Sequence, residues 1–316
     1  MDEKRKIEFS ENSSRIIANR NQQDSAVLWP ALPYEEWKET YDTLHMWMQI
    51  VGKVKMKLNP FINNWWHIAF NFSPTGISSG LIPYKDKVFQ IDFDFVTHNL
   101  FIRTSENELK AISLRPRSVA NFYHEFMNSL QAIDIPIEIN TLPLDVPDPV
   151  PFERETEKRF YNKEYVSRWW KIMSQLWPIF ENFRSSFSGK ESPVQFYSGS
   201  FDLNETRFSG KRVGVRAGAG EQTGTSESEE YFSCGFWPGD KKYKDPAFYS
   251  YISPAPEEME FLSISPVQAS YDHRLREFIL PYDEVRKSES QEKLIAEFLQ
   301  STFRESTRLA GWKEER

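Results

Sequence analysis

Cysteine is nearly absent: Cys234 is the only one in 316 residues. That count excludes an internal disulfide framework and a cysteine-based zinc site. Histidine is scarce too, with 5 in the chain. Imidazole chemistry therefore has only His45, His67, His98, His124 and His273 to draw on. No apolar run approaches the roughly 18 residues that a membrane span requires. Met1 to Gln23 is charged and has no apolar stretch of the signal-peptide kind. The expectation is a cytoplasmic protein with no membrane partner. Acidic residues outnumber basic ones, 46 to 39, leaving a net charge of −7. A nucleic-acid partner is not expected, because such a surface needs dense Lys and Arg.

The common catalytic motifs are also missing. Ser209-Gly210-Lys211-Arg212 resembles the end of a phosphate loop, but Glu205 stands where that loop needs glycine and Arg212 where it needs Ser or Thr. His124-Glu125 is followed by Asn128, where a zinc-protease helix needs histidine. The chain contains no Gly-x-Ser-x-Gly elbow and no dinucleotide fingerprint. Cofactor and metal requirements are both left unknown.

What the chain does have is aromatic residues, 15% of the total, enough large rings to fill a core and to exclude disorder of the whole chain. Residues 1–28 are polar and read as a flexible arm. Trp37, Tyr41, Leu44, Met48 and Val51 then step at helical spacing, and Gly52 is the expected stop. Trp66, Ile68, Phe70 and Phe72 alternate with polar partners and predict a strand. Phe89, Ile91, Phe93 and Phe95 predict the clearest strand of all. Leu100–Ile102 and Leu109–Leu114 follow as strands. Ser118 is placed to cap a helix bearing Val119, Phe122, Phe126 and Leu130.

The prolines of 145–151 favour an extended linker. Beyond it, Asn162 is placed to cap a second Trp-rich helix. Strands are expected within 194–208, 231–237, 247–252 and 277–280, with a mobile Gly-rich loop at 209–230. Ser288 and Gln291 match a capping box ahead of a last helix. The fold class is therefore α+β: two helix–antiparallel-sheet–helix units, 29–144 and 152–316, packed as one body. Their shared order fits an internal duplication, and equally any chain that alternates helices with strands.

Candidate site residues come from polar groups on apolar elements. Asp92 and Asp94 share one strand face, and alternation turns His67 to the polar face of the strand expected beside it. If those strands neighbour each other, the three groups converge as an acid–base set, or as oxygen and nitrogen ligands for a divalent cation. Arg115 and Arg117 precede a helix N-terminus, where helix-end amides and guanidinium groups together suit an anion. Asp202 and Arg207 lie in a mixed-charge strand segment, read either as a cleft wall or as a structural ion pair. Trp237, in Gly235-Phe-Trp-Pro-Gly239, and Trp65 offer stacking surfaces. His45 lies one position from an apolar helix stripe.

These segments resemble a family of uncharacterised, mostly bacterial proteins known only as a domain of unknown function. The matching stretches are Trp29-Pro-Ala-Leu-Pro33, Leu44-His-Met-Trp-Met-Gln-Ile-Val-Gly-Lys53, Asn64-Trp-Trp-His67, Ile91-Asp-Phe-Asp-Phe95 and Leu114-Arg-Pro-Arg-Ser118. They continue with Gly199-Ser-Phe-Asp-Leu203, Gly235-Phe-Trp-Pro-Gly239, Leu280-Pro-Tyr-Asp283 and Phe298-Leu-Gln-Ser-Thr302. The resemblance implies no activity. It implies polar residues in both halves, including Glu230, and so a site between them. The expected function is binding of a small polar or anionic ligand in that cleft, with Arg115, Arg117 and Arg207 supplying positive charge. The alternatives are a metal-assisted or acid–base hydrolase using His67, Asp92, Asp94 and Glu230, and an interaction module that docks through its Trp-rich helices.

Overall fold

The computed structural model describes residues 28–312 apart from 145, 214–228 and 242. The arm expected over 1–28 lies outside the described residues except for Leu28, and so does most of the expected loop 209–230. Helix α1 (Tyr34–Leu58) leads into a five-stranded antiparallel sheet of β1 (Asn71–Ser73), β2 (Gly76–Tyr84), β3 (Lys87–Asp94), β4 (Asn99–Thr104) and β5 (Leu109–Ser113), followed by α2 (Val119–Gln131). Helix α3 (Lys163–Arg184) opens the second half. Its strands are β6 (Gln195–Tyr197), β7 (Asp202–Arg212), β8 (Glu229–Trp237), β9 (Ala247–Ser253), β10 (Ser270–Asp272) and β11 (Glu277–Pro281), and the helices α4 (Tyr282–Lys287) and α5 (Gln291–Leu309) close it. The second sheet is antiparallel in the order β10-β11-β9-β8-β7-β6. The fold is α+β, with two antiparallel sheets and a helix–sheet–helix order in each half.

The halves share one apolar core that draws residues from Trp29 to Leu299. The sheets meet at their edges, where Phe70 and Phe196 exchange backbone hydrogen bonds of 2.8 and 3.0 Å. Helix α1 is the central element and is buried on nearly every side. Its Trp47 stacks on Phe122 of α2 with ring centroids 4.8 Å apart, and its Trp37 stacks on Trp169 of α3 at 6.4 Å. Trp37, Trp47, Trp169 and Trp170 are all buried. The tryptophans expected to form a docking face on these helices are therefore core residues; Trp177 is the partly exposed ring of α3, at 42%.

Several local expectations hold. The Ser118 hydroxyl accepts from Asn121 N at 3.1 Å and the Asn162 side chain from Glu164 N at 2.9 Å, so both caps form as expected. Phe89, Ile91, Phe93 and Phe95 are buried.

Others are corrected. Gly52 does not end α1, which runs six residues further to Leu58. The glycine is there for close packing: a Cβ at Gly52 would lie 2.4 Å from Ser198 Oγ. The strand expected across 66–72 forms only from Asn71. Upstream, Asn63–Trp65 makes a tight turn in which Asn64 and Trp65 take φ of 61° and 60°. Asparagine tolerates that left-handed region, so the Asn63-Asn64 pair overrides the alternation that follows it. The final helix starts at Gln291 with Ser290, not Ser288, at its N-cap, and Gln291 Nε2 donates to the Ser288 carbonyl oxygen at 2.7 Å.

Candidate functional site

Period-two alternation splits β7 into two faces. Leu203, Glu205 and Arg207 turn to the core, while Asp202, Asn204 and Thr206 turn to a cavity of about 560 Å³. Strand pairing extends this polar face sideways. Thr206 is opposite Ser233 on β8, which is opposite Tyr251 on β9. Asn204 is opposite Gly235, which is opposite Tyr249. Trp237, Glu277 and Tyr197 complete the sheet side of the cavity. The other wall comes from the first half: Gln49, Gly52, Lys53 and Met56 of α1, with Asn64 and Trp65 of the turn after it. The volume falls within the roughly 300–1,000 Å³ of small-molecule sites.

The floor is a pre-set hydrogen-bond network. The Tyr249 hydroxyl donates to Asp202 Oδ2, and the Ser200 hydroxyl donates to Oδ1 of the same carboxyl. Asn204 Nδ2 donates to Tyr249 Oη at 2.9 Å and to Ser233 Oγ at 2.8 Å, while Thr206 donates to Asn204 Oδ1 at 3.0 Å. Burial pushes the Asp202 carboxyl above the usual carboxylate range, against the pull of the Ser200 and Tyr249 hydrogen bonds. Burial, then the charges of Asp202 and Asp272, lifts Glu277 to about 7. Burial raises the hydroxyls of Tyr249 and Tyr251 and lowers the Lys53 ammonium. Lys53 and Glu277 have no hydrogen-bond or ion-pair partner among the described residues. Chemically, this wall can accept hydrogen bonds, hold or release a proton at Glu277, and stack a ring or cation against Trp237 and Tyr249, whose rings lie 5.2 Å apart.

Of the residues proposed from sequence, the structure places Asp202, Trp65 and Trp237 in this cavity. His45 lines a neighbouring cavity of about 780 Å³, which meets the first at Gly199, Ser200 and Asp240. There His45 Nε2 lies 2.8 Å from Gly199 O and 2.9 Å from Gln49 Nε2.

The remaining candidates are engaged elsewhere. His67 is buried in its turn, with Nδ1 3.3 Å from the backbone of Ile62 and its ring stacked on Trp65. Asp92 pairs with Arg103 at 2.7 Å and accepts from Gln90. Asp94 caps the turn after β3, accepting from Thr97 N at 2.7 Å and Val96 N at 3.0 Å. Burial alone would raise the Asp94 carboxyl; its hydrogen bonds bring it below the usual range. Glu230 accepts from Ser209 at 2.9 Å, beside Lys211. Among the described residues, no group of three or more His, Cys, Asp and Glu is placed to hold a metal ion.

The three arginines expected to supply positive charge do not line the cavity. Arg115 is exposed. Arg117 is buried over Trp47 and Phe122, paired with Glu125 and donating to Ser113 O at 2.6 Å. Arg207 sits on the core face of β7, 3.2 Å from Glu205, with its guanidinium 3.5 Å from the Phe183 ring centroid. Lys53, Asn204, Tyr249, Tyr251 and Glu277 were missed. The alternation of Tyr249 and Tyr251 with Phe248, Ser250 and Ile252 was the available signal, and it does not say which face meets a cavity.

Fold and cleft together define a class: an α+β protein of two antiparallel sheets on one core, with a polar, aromatic-walled cavity between its halves. The chain belongs to a family of unknown function, DUF5996, whose family model matches residues 29–316. No curated protein and no solved structure matches the chain. Among the described residues, no helix is long and apolar enough to cross a membrane.

Proposed function

We propose that this protein binds a small polar molecule in the cavity between α1 and the second sheet. The observation that carries the reading is the cavity itself, about 560 Å³ in volume and lined from both halves. Its floor is a buried Asp202–Tyr249–Asn204 network, and Trp65 and Trp237 lie in its walls. A buried network of this kind costs desolvation free energy unless each member is satisfied. Its position on a cavity wall, rather than inside the core, supports a recognition role. With Arg115, Arg117 and Arg207 turned elsewhere, the sheet wall favours a hydrogen-bond donor or a cation over an anion. The net charge of −7 supports a small-molecule partner over a nucleic acid.

Native mass spectrometry of the full chain tests the reading, paired with tryptophan fluorescence as small amines, sugars and amino acids are added. The expected result is an organic adduct or a saturable fluorescence change, lost in Trp237→Ala and weakened in Asp202→Asn. A bare mass together with unchanged fluorescence across the panel overturns it.

A further inference from the structure

Two buried lysines on α1 meet different fates. Lys55 is 3% exposed and is satisfied: its Nζ donates to Ala69 O at 2.5 Å and to Ser79 O, over the face of Phe70. Lys53, two residues earlier, is 6% exposed and lines the cavity. It has no hydrogen bond and no ion pair among the described residues. Burial of the side chain lowers its ammonium, and Nζ opens on the cavity, where no charge of the described residues meets it; ammonium groups in such surroundings are normally paired.

Glu277 sits on the opposite wall of the same cavity, also without a hydrogen-bond partner among the described residues. The two groups do not pair with each other. Asp202 and Tyr251 act electrostatically with Glu277, and Tyr249 and Trp237 continue the same wall of the cavity, a carboxyl and ring surface suited to a cation. The cavity therefore has an unmatched positive pole on the helix wall and an acidic, aromatic pole on the sheet wall.

We propose that the cavity takes a bipolar small molecule of the amino-acid type, its carboxylate on Lys53 Nζ and its amine against Glu277 and Asp202. This rests on the cavity being a polar ligand site, and it adds the ligand class and the anchoring residue. A molecule with only one charged end would leave one pole unmatched. A bipolar one of suitable length satisfies both and relieves the repulsion between the acids.

The test uses the full chain and ω-amino acids of increasing length: β-alanine, γ-aminobutyrate, δ-aminovalerate and ε-aminocaproate. Butylamine, hexylamine, butyrate and caproate serve as single-charge controls. Binding is read by calorimetry and tryptophan fluorescence on wild type, Lys53→Met and Glu277→Gln. At least one ω-amino acid is expected to bind wild type more tightly than its matching amine. Lys53→Met should weaken that amino acid about tenfold or more, the scale of one charge-assisted hydrogen bond, and leave the amine unchanged. Glu277→Gln should weaken both. The unliganded Lys53→Met protein should melt no lower than wild type, because it loses a partly desolvated charge that no described residue pairs, so a folding defect cannot imitate the result. Amines binding as tightly as amino acids, or Lys53→Met leaving amino-acid affinity intact, overturns the Lys53 anchor while the cavity still stands as a ligand site. No response to any amine, acid or amino acid overturns the bipolar assignment, and the mass and sugar arms of the earlier experiment then decide the cavity separately.

Discussion

The Tyr249 hydroxyl on β9 donates to the Asp202 carboxyl on β7, crossing the whole of β8 to do so. The crossing is possible because the Tyr249 ring lies over Gly235, its register partner on β8, where no side chain stands in the way. Asp202 is buried, and Ser200 is its other side-chain donor. Tyr249→Phe should therefore leave one carboxyl oxygen unpaired and destabilise the fold by about 1–3 kcal/mol, the cost of an unsatisfied buried acceptor. Urea denaturation measures it. A loss indistinguishable from zero would mean that water replaces the hydroxyl and that the floor of the cavity is not pre-set.

Gly235 makes a second, independent prediction. A Cβ there would lie 2.1 Å from Leu203 O and 2.5 Å from Tyr249 Oη. The first neighbour is backbone in the adjacent strand and cannot swing aside. Gly235→Ala should overpack the sheet and cost about 1–3 kcal/mol, and it should displace the Tyr249 ring. A lowered melting temperature with altered near-ultraviolet circular dichroism is the expected outcome. Gly210→Ala, with nothing within 4 Å of its Cβ position, is the control for glycine replacement at a left-handed residue rather than for packing.

These residues also show where reading the sequence succeeds and where it stops. Elements with long, clean periodicity were legible: the α1 stripe, the Phe89–Phe95 strand, and both capped helices. The linear pattern reports which residues share a face, but not which face meets a cavity. On β7, Asp202, Asn204 and Thr206 alternate with Leu203, Glu205 and Arg207, and both sets mix polar with apolar or charged groups. Only the packing of Phe183 and Phe303 over Arg207 sends the second set inward. His67 failed for a different reason: the left-handed Asn64 and Trp65 break the alternation on which its facing was argued. Lys53 and Glu277 carry no local mark at all, since each is an ordinary charged residue until strands far apart in sequence enclose it.

Arg207 turns that lesson into a stability measurement. It is 1% exposed, Glu205 is fully buried beside it, and its guanidinium also donates to Phe183 O at 2.5 Å. Burial lifts Glu205 to about 7 even with Arg207 pulling it down. Removing the arginine strands that carboxyl in the core, so Arg207→Met should cost about 3–5 kcal/mol, as for other broken buried pairs. The double variant Glu205→Gln with Arg207→Met should recover part of the loss. A single variant of wild-type stability that loses ligand binding instead would restore Arg207 to the site.

Glu277 gives a prediction in pH. Burial first, then the Asp202 and Asp272 charges, raises its folded value from 4.5 to about 7. The unfolded chain keeps the ordinary value, so between the two the folded protein holds a proton that the unfolded chain has released. Stability from this group is complete below about pH 4.5 and is lost as pH rises through about 7. A shift of that size corresponds to roughly 3 kcal/mol. Glu277→Gln cannot titrate and keeps a similar shape. Its melting temperature should match wild type below about pH 4.5, exceed it progressively between about pH 4.5 and 7, and keep a constant margin above that. Subtracting the wild-type profile from that of the variant largely cancels Asp202, which is common to both. A difference independent of pH would show that Glu277 is ionised and solvated across the range, and the acidic pole of the cavity would then be an ordinary surface carboxylate.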